Sequence, residues 1–199
     1  MTRSYRRRSL RCLGIAAGLL LILFVLDRLF PPPAPDRTRQ AVVVLARDET
    51  PLRAFPDRSQ VWRHPVGIAD VSPRYLEALI AYEDRRFWIH PGMNPLALVR
   101  AVWQRASTGR IVSGGSTLTM QVARLIEPMP RSIPGKIKQC IRALQLELRY
   151  SKREILTLYL NYAPMGGVIE GVEAASRAYL GKPASRLSHA EAALLAVLP

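Results

Sequence analysis

Two adjacent carboxylates, Glu83 and Asp84, close an apolar-periodic stretch that begins at Ser72. Leu76, Leu79, Ile80, Glu83 and Phe87 recur at i, i+3, i+4, i+7 and i+11, so Glu83 takes a place on a core-facing stripe that an apolar side chain ordinarily fills. A carboxylate set into an apolar wall is held toward its protonated form and can take or hold a proton near neutrality. The plainer alternative is a solvated run at a helix end, with Glu83 paired to Arg86 or His90. Asp84 falls roughly 100° further round the same helix. A second chemical stretch is Gly114-Gly115-Ser116-Thr117-Leu118-Thr119-Met120-Gln121. A glycine pair feeding a helix start can offer amides and small hydroxyls to an anion at the positive end of the dipole. The ordinary alternative is a Gly-Gly turn with a Ser cap, and the Gly-Lys-Ser/Thr of a nucleotide P-loop is absent, so ATP is not indicated. Arg124 follows one turn after Gln121, and Arg131, Lys136 and Lys138 come soon after. Such a cluster suits a pyrophosphate, although a solvated basic face is the commoner meaning of a run like this.

The elements that must position these groups are mostly helical. Ser72 suits an N-cap and Pro73 the first helical position, and His90-Pro91-Gly92 ends that first helix. Asn94-Pro95 opens a second helix through Trp103 to Thr108, where Gly109 stops it. Ser116 or Thr117 caps a third, whose apolar face is Leu118, Val122, Leu125 and Ile126. A fourth, from Lys136 to Tyr150, carries Ile137, Cys140, Ile141, Leu144 and Leu148 as its expected buried face. Ser151 with Glu154, and Ser188 with Glu191, read as capping boxes for a fifth helix ending near Asn161 and for the last one. Ahead of the helices, Ala41 to Ala46 reads as a strand with a hairpin partner in Leu52 to Val66 across Asp48-Glu49-Thr50.

The first 30 residues differ in kind. Arg3, Arg6, Arg7, Arg8 and Arg11 precede an apolar run from Cys12 to Leu26, which with its flanks approaches the roughly 20 residues that cross a bilayer. The arginines then stay cytoplasmic and the rest of the chain lies outside as a single-pass signal anchor; a cleaved signal peptide is the competing reading. Pro31 to Gln40 is a stiff stalk. The expected organisation is therefore residues 1–30 as basic tail and transmembrane helix, 31–70 as stalk and β-hairpin, and 71–199 as one catalytic domain. The net charge of +14 comes without a nucleic-acid motif, so an anionic membrane surface or a phosphorylated substrate is the expected partner and nucleic acid is not. The two cysteines, Cys12 and Cys140, offer neither a disulfide framework nor a cysteine zinc site.

Four motifs in order give the chain a family resemblance. They are Glu83-Asp84-Arg85-Arg86-Phe87-x-x-His90-x-Gly92, then GGSTLTMQ at 114–121, then Lys152-x-Glu154-Ile155-Leu156-x-Leu158-Tyr159-Leu160-Asn161, then AYLGK at 178–182 with LSHAEAALLAVLP at 187–199. Residues 70 to 199 resemble the peptidoglycan glycosyltransferases of family 51, found in class A penicillin-binding proteins and in monofunctional transglycosylases. RSIPGKIKQ, RALQLE and APMGG look like the 1C branch of those proteins.

The resemblance implies a mostly α, lysozyme-like domain that polymerises lipid II on the periplasmic side of the bacterial inner membrane. Its partners would be lipid II, the nascent glycan chain, the membrane and other wall-synthesis proteins. It gives Glu83 the role of base on the sugar 4-hydroxyl, with Asp84 ordering the site. It also puts His90, Gly114, Gly115, Ser116, Thr117, Gln121, Arg124, Lys136, Gln139 and Glu154 around the substrate. For Glu154 the capping box is a sufficient structural reason by itself. A divalent cation, Mg or Mn, would act only through the substrate pyrophosphate, since the sequence shows no ligand cluster of its own. The resemblance has two departures. Gly135-Lys136 and Gln139 stand where most of the family has Arg-Lys and a second glutamate, and glutamine cannot ionise. Glu147 is about 12 Å further along the helix, too far to substitute simply. The chain also ends at Pro199 without the SxxK, SxN and KTG set of a transpeptidase, so no acylation by β-lactams is expected. Competing readings are a lytic glycosidase, disfavoured by a groove suited to pyrophosphate, and a catalytically weak scaffold that binds lipid II, motivated by Gln139.

Overall fold

The computed structural model describes Gly18 and residues 24–25, 27–35, 42–48, 51–94, 100, 103–104, 107 and 115–199. The chain divides into two units, residues 1–33 and 34–199. In the first, residues 24–25 and 27–29 are helical, and the Arg28 guanidinium lies 5.0 Å from the centre of the Phe24 ring. Most of the expected membrane anchor lies outside the described residues. No helix among those described is long and apolar enough to cross a membrane. Most of the helix expected from Asn94-Pro95 to Thr108 also lies outside them, as do Gly109 and Gly114.

The second unit is mostly helical with two small sheets. Strand β1 (Val42–Leu45) pairs antiparallel with β2 (Pro51–Phe55), which is the expected hairpin with a shorter second strand. The rest of the expected partner does something else. Strand β3 (Trp62–Arg63) leaves the hairpin and runs parallel to β5 (Ile169–Glu170), itself antiparallel to β4 (Pro164–Gly166). An ionic strap closes this second sheet. Arg63 pairs with the buried Asp57 carboxylate, and its Nε donates to Glu170 Oε2 at 2.8 Å.

Helix α1 (Pro73–Glu83) stops at Glu83, one residue before Asp84, which caps it. Pro73 opens it as expected, but Ser72 donates its hydroxyl to Leu187 O at 3.3 Å instead of capping. Leu79 and Phe87 are fully buried, Leu76, Ile80 and Glu83 half-buried, and the unforeseen Tyr75 fully buried. Helix α2 (Leu118–Ile126) is capped by Thr117, whose Oγ1 accepts from Met120 N at 3.1 Å. Helix α3 (Ile133–Arg149) starts earlier than expected, with Ser132 as its cap and Pro134 in its first turn. The buried face of α3 is a correction. Ile137, Ile141, Leu144 and Leu148 are exposed, and Gly135, Gln139, Ala143, Gln145 and Leu146 are buried instead. Small side chains let α3 approach α2 closely, and Gln139 bonds a carbonyl there, so this face wins despite its lower hydrophobicity.

Helix α4 (Lys152–Tyr162) has the expected box, with Glu154 accepting from Ser151 N at 2.7 Å. Helix α5 (Val172–Leu180), not foreseen, follows the second sheet, and α6 (His189–Ala196) has the expected Ser188–Glu191 box. Helix α1 packs on α6, and α2 on α3 and α4. Tyr75, Leu79, Phe87, Leu118, Val122, Leu156, Tyr159 and Leu195 belong to the single core they enclose.

Candidate active site

The end of α1 and the start of α2 meet, and the polar groups of the site are built where they touch. Glu83 is the last residue of α1, and its Oε2 accepts from Gln121 Nε2 at 2.5 Å. Neither pairing of the plainer alternative is the bond observed. His90 Nε2 faces the Asp84 carboxylate at 2.9 and 3.0 Å, and Glu83 is held by a neutral amide from the second motif.

Asp84 is buried rather than beside Glu83 on an open face. Besides His90 it takes the backbone N–H of Leu118 at 3.0 Å, one of the otherwise unpaired donors at the start of α2. A carboxylate is well placed there by the helix dipole. Thr117 Oγ1 donates to Gly92 O at 2.5 Å, so the loop after α1 is tied twice to the N-terminus of α2. Gly92 has a φ of +81°, and a Cβ there would come within 2.8 Å of Ala143 O on α3, so only glycine fits.

At the far side of the α2 start, Lys136 Nζ donates to Ser116 Oγ at 2.5 Å and to Gln139 Oε1 at 3.2 Å. Gln139 Nε2 donates in turn to Met120 O at 2.6 Å. Burial pulls the Lys136 ammonium below the usual lysine range, and the Arg124 charge pulls the same way against an opposing effect of Cys140. Gly135 begins this helix where a Cβ would lie 2.1 Å from Pro130 O, which no larger residue could occupy without moving backbone.

Gln121, Ser116, Lys136 and Gln139 are thus brought to one helix start beside Glu83. Asp84, His90 and Thr117 support that start from within. Gly115 is buried next to it, and Arg124 is exposed on α2. Glu154 is exposed and engaged in its capping box, accepting from both N and Oγ of Ser151. Three further polar residues had no role from sequence. Glu147 Oε1 accepts from Thr119 Oγ1 at 2.5 Å and from Lys152 Nζ at 2.7 Å, and Lys152 also donates to His90 O at 2.7 Å. All three lie in motifs quoted from the sequence, Thr119 in GGSTLTMQ, Glu147 at the end of RALQLE and Lys152 at the start of the third family motif. Among the described residues no group of three or more His, Cys, Asp or Glu side chains is placed to hold a metal ion. An ammonium, an amide and a hydroxyl at the Lys136 end do not suit a divalent cation.

Against known proteins, the transglycosylase family model matches residues 48–199, the whole of this helical arrangement. The chain belongs to the transglycosylase family. It is 57% identical to penicillin-binding protein 1C of Escherichia coli (strain K12) over 201 residues, covering 100% of this chain and 26% of that protein. Penicillin-binding protein 1A of Aquifex aeolicus (strain VF5) is 44% identical over 69% of this chain and 19% of that protein. A biosynthetic peptidoglycan transglycosylase of Azoarcus sp. (strain BH72) is 42% identical over 64% of this chain and 56% of that protein. The transglycosylase chain therefore spans about a quarter of the length of its 1C relative.

Proposed function

We propose that this transglycosylase polymerises lipid II into β-1,4 glycan strands at the outer face of the inner membrane, with Glu83 as general base. The observation that carries this is the juxtaposition of Glu83, held by Gln121, with the Lys136–Ser116 pair at the same helix start. One end offers a carboxylate to take a proton, the other a cation and a hydroxyl for a diphosphate. In this reading Glu83 removes the proton of the incoming sugar 4-hydroxyl as its oxygen attacks the anomeric carbon of the growing chain. The bond to undecaprenyl pyrophosphate breaks with inversion. Lys136, Ser116 and the exposed Arg124 receive the diphosphate charge. Asp84 and His90 act indirectly, by fixing the end of α1, where Glu83 sits, against the start of α2. No step is routed through a metal ion. The lysozyme-like architecture and the membrane anchor belong to the same proposal.

The test is turnover of labelled lipid II by the detergent-solubilised chain, beside Glu83→Gln. The expected outcome is polymer from the wild type and a loss of at least about a hundredfold in the variant, the scale of a general base. Equal rates would remove Glu83 from this role. Lipid II bound by the wild type without polymer would favour the scaffold reading, in which the neutral Gln139 is the decisive change.

A further inference from the structure

Where α1 and α2 meet, α3 and α4 contribute an ion pair to which the proposed reaction assigns no step. Glu147, near the end of α3, and Lys152, the first residue of α4, join at 2.7 Å with their side chains only 12% and 19% exposed. Taking two charges out of water costs about as much as their attraction returns, so a need for stability does not explain the pair. Lysine is also a poor choice for the first turn of a helix, where the dipole disfavours a cation. The reason lies in what the pair holds.

Each partner reaches one side of the junction. The Lys152 ammonium donates to His90 O at 2.7 Å and stands 4.6 Å from the centre of the buried Phe87 ring, so it grips the loop after α1 at two points. The Glu147 oxygen that receives Lys152 also accepts, at 2.5 Å, from Oγ1 of Thr119, a fully buried residue in the first turn of α2. Glu147 lies against Gly92 as well, since a Cβ there would come within 2.9 Å of its Cγ. One ion pair thus bridges the loop that follows Glu83 to the helical turn that precedes Gln121. Glu83 and Gln121 themselves meet at 2.5 Å.

We propose that Glu147 and Lys152 are positioning residues for the reaction, an ionic clamp that fixes residues 84–92 to the first turn of α2 and so sets Glu83 against Gln121. The catalytic part of this inference rests on Glu83 being the base. The clamp itself does not.

Removing one charge strands the other, so both are replaced together, Glu147→Met with Lys152→Met, which keeps unbranched side chains of similar length. The double variant and the wild type are compared in the full detergent-solubilised chain for lipid II turnover, urea unfolding and hydrogen exchange at the Leu118 amide, whose acceptor is Asp84. The expected result is a fall in kcat on the order of tenfold with KM within about twofold, since misplaced catalytic groups slow chemistry more than binding. Exchange at Leu118 should quicken on the order of tenfold while the urea midpoint holds, the mark of a local opening. Wild-type kcat, or unchanged exchange at Leu118, overturns the proposal. Thr119→Val keeps both charges and removes only the hydroxyl that Glu147 accepts. It decides the matter where the double variant does not fold, with changes of about threefold expected in both readouts and none overturning the proposal. Exchange at Leu118 reads the clamp whether or not the chain polymerises, so failure of the proposed reaction and failure of this inference are told apart.

Discussion

Gln121 and Lys136 differ in what they offer to charge. A neutral amide orients the Glu83 carboxylate by a hydrogen bond without placing a charge beside it. Lys136 does the opposite work for an anion. Its ammonium is partly buried, and its bonds are to neutral groups, Ser116 and Gln139. Because burial lowers its proton affinity, its charge is lost at lower pH than that of an ordinary lysine. The sign follows directly: binding of a diphosphate is strongest while Lys136 is protonated and weakens as pH rises through that lowered value. Titrating inorganic pyrophosphate affinity against pH should show this alkaline limb. Lys136→Arg, which stays charged throughout, should lack it. The same limb in both proteins would place the titrating group elsewhere. Neither the amide on Glu83 nor the neutral surroundings of Lys136 could be read from spacing. Both depend on which residues of α2 and α3 come to face each other.

At the scale of elements, the start of α2 is the junction on which the site depends. It receives Asp84 from the end of α1, Gly92 from the following loop, and Gln139 from α3. The start of α3 is equally constrained. Gly135 has its backbone against Pro130 O, with no room for a side chain. Gly135→Arg should therefore lower stability by about 1–3 kcal/mol, because a Cβ at 2.1 Å forces backbone to move. Urea unfolding checks this, and an unchanged midpoint would mean that the Pro130 turn yields freely. The capping boxes at Ser151 and Ser188 were legible in the sequence because every atom they need lies within four residues. The buried face of α3 was not legible. Its isoleucines and leucines give the stronger periodic signal, but periodicity says only that a helix has two faces. The facing helix chose the side with Gly135, Ala143 and the hydrogen-bonding Gln139.

For the molecule as a whole, one ionic strap ties the stretch ahead of α1 to the sheet that follows α4. Asp57 is buried, which by itself would raise its pKa. The backbone N–H groups of Val61 and Ser59 and the Arg63 charge outweigh that and hold it below the usual carboxylate range. A carboxylate with a lowered native pKa contributes stability above its unfolded value, about 4, and loses it as pH falls through the native value. Asp57→Asn should cost about 2 kcal/mol at neutral pH. That difference from wild type should shrink in strong acid, below both values. Urea midpoints at neutral and acid pH decide it, and a difference constant with pH would show that the Asp57 charge contributes nothing.

The sequence by itself determined that most of the described residues from 72 onward are helical, the capping boxes at Ser151 and Ser188, and the motif order that gives the family. These are local or cumulative properties, carried by residues a few positions apart or by the order of whole motifs. Tertiary structure alone decided that Asp84 supports α2 from inside, that Gln121 is the partner of Glu83, and that Glu147 serves Thr119 and Lys152. Asp84 and Leu118 are separated by 34 residues, Glu83 and Gln121 by 38. No periodicity spans such distances. What joins them is the way α1 and α2 must meet end to start to enclose one core, leaving buried donors and acceptors that only each other can satisfy.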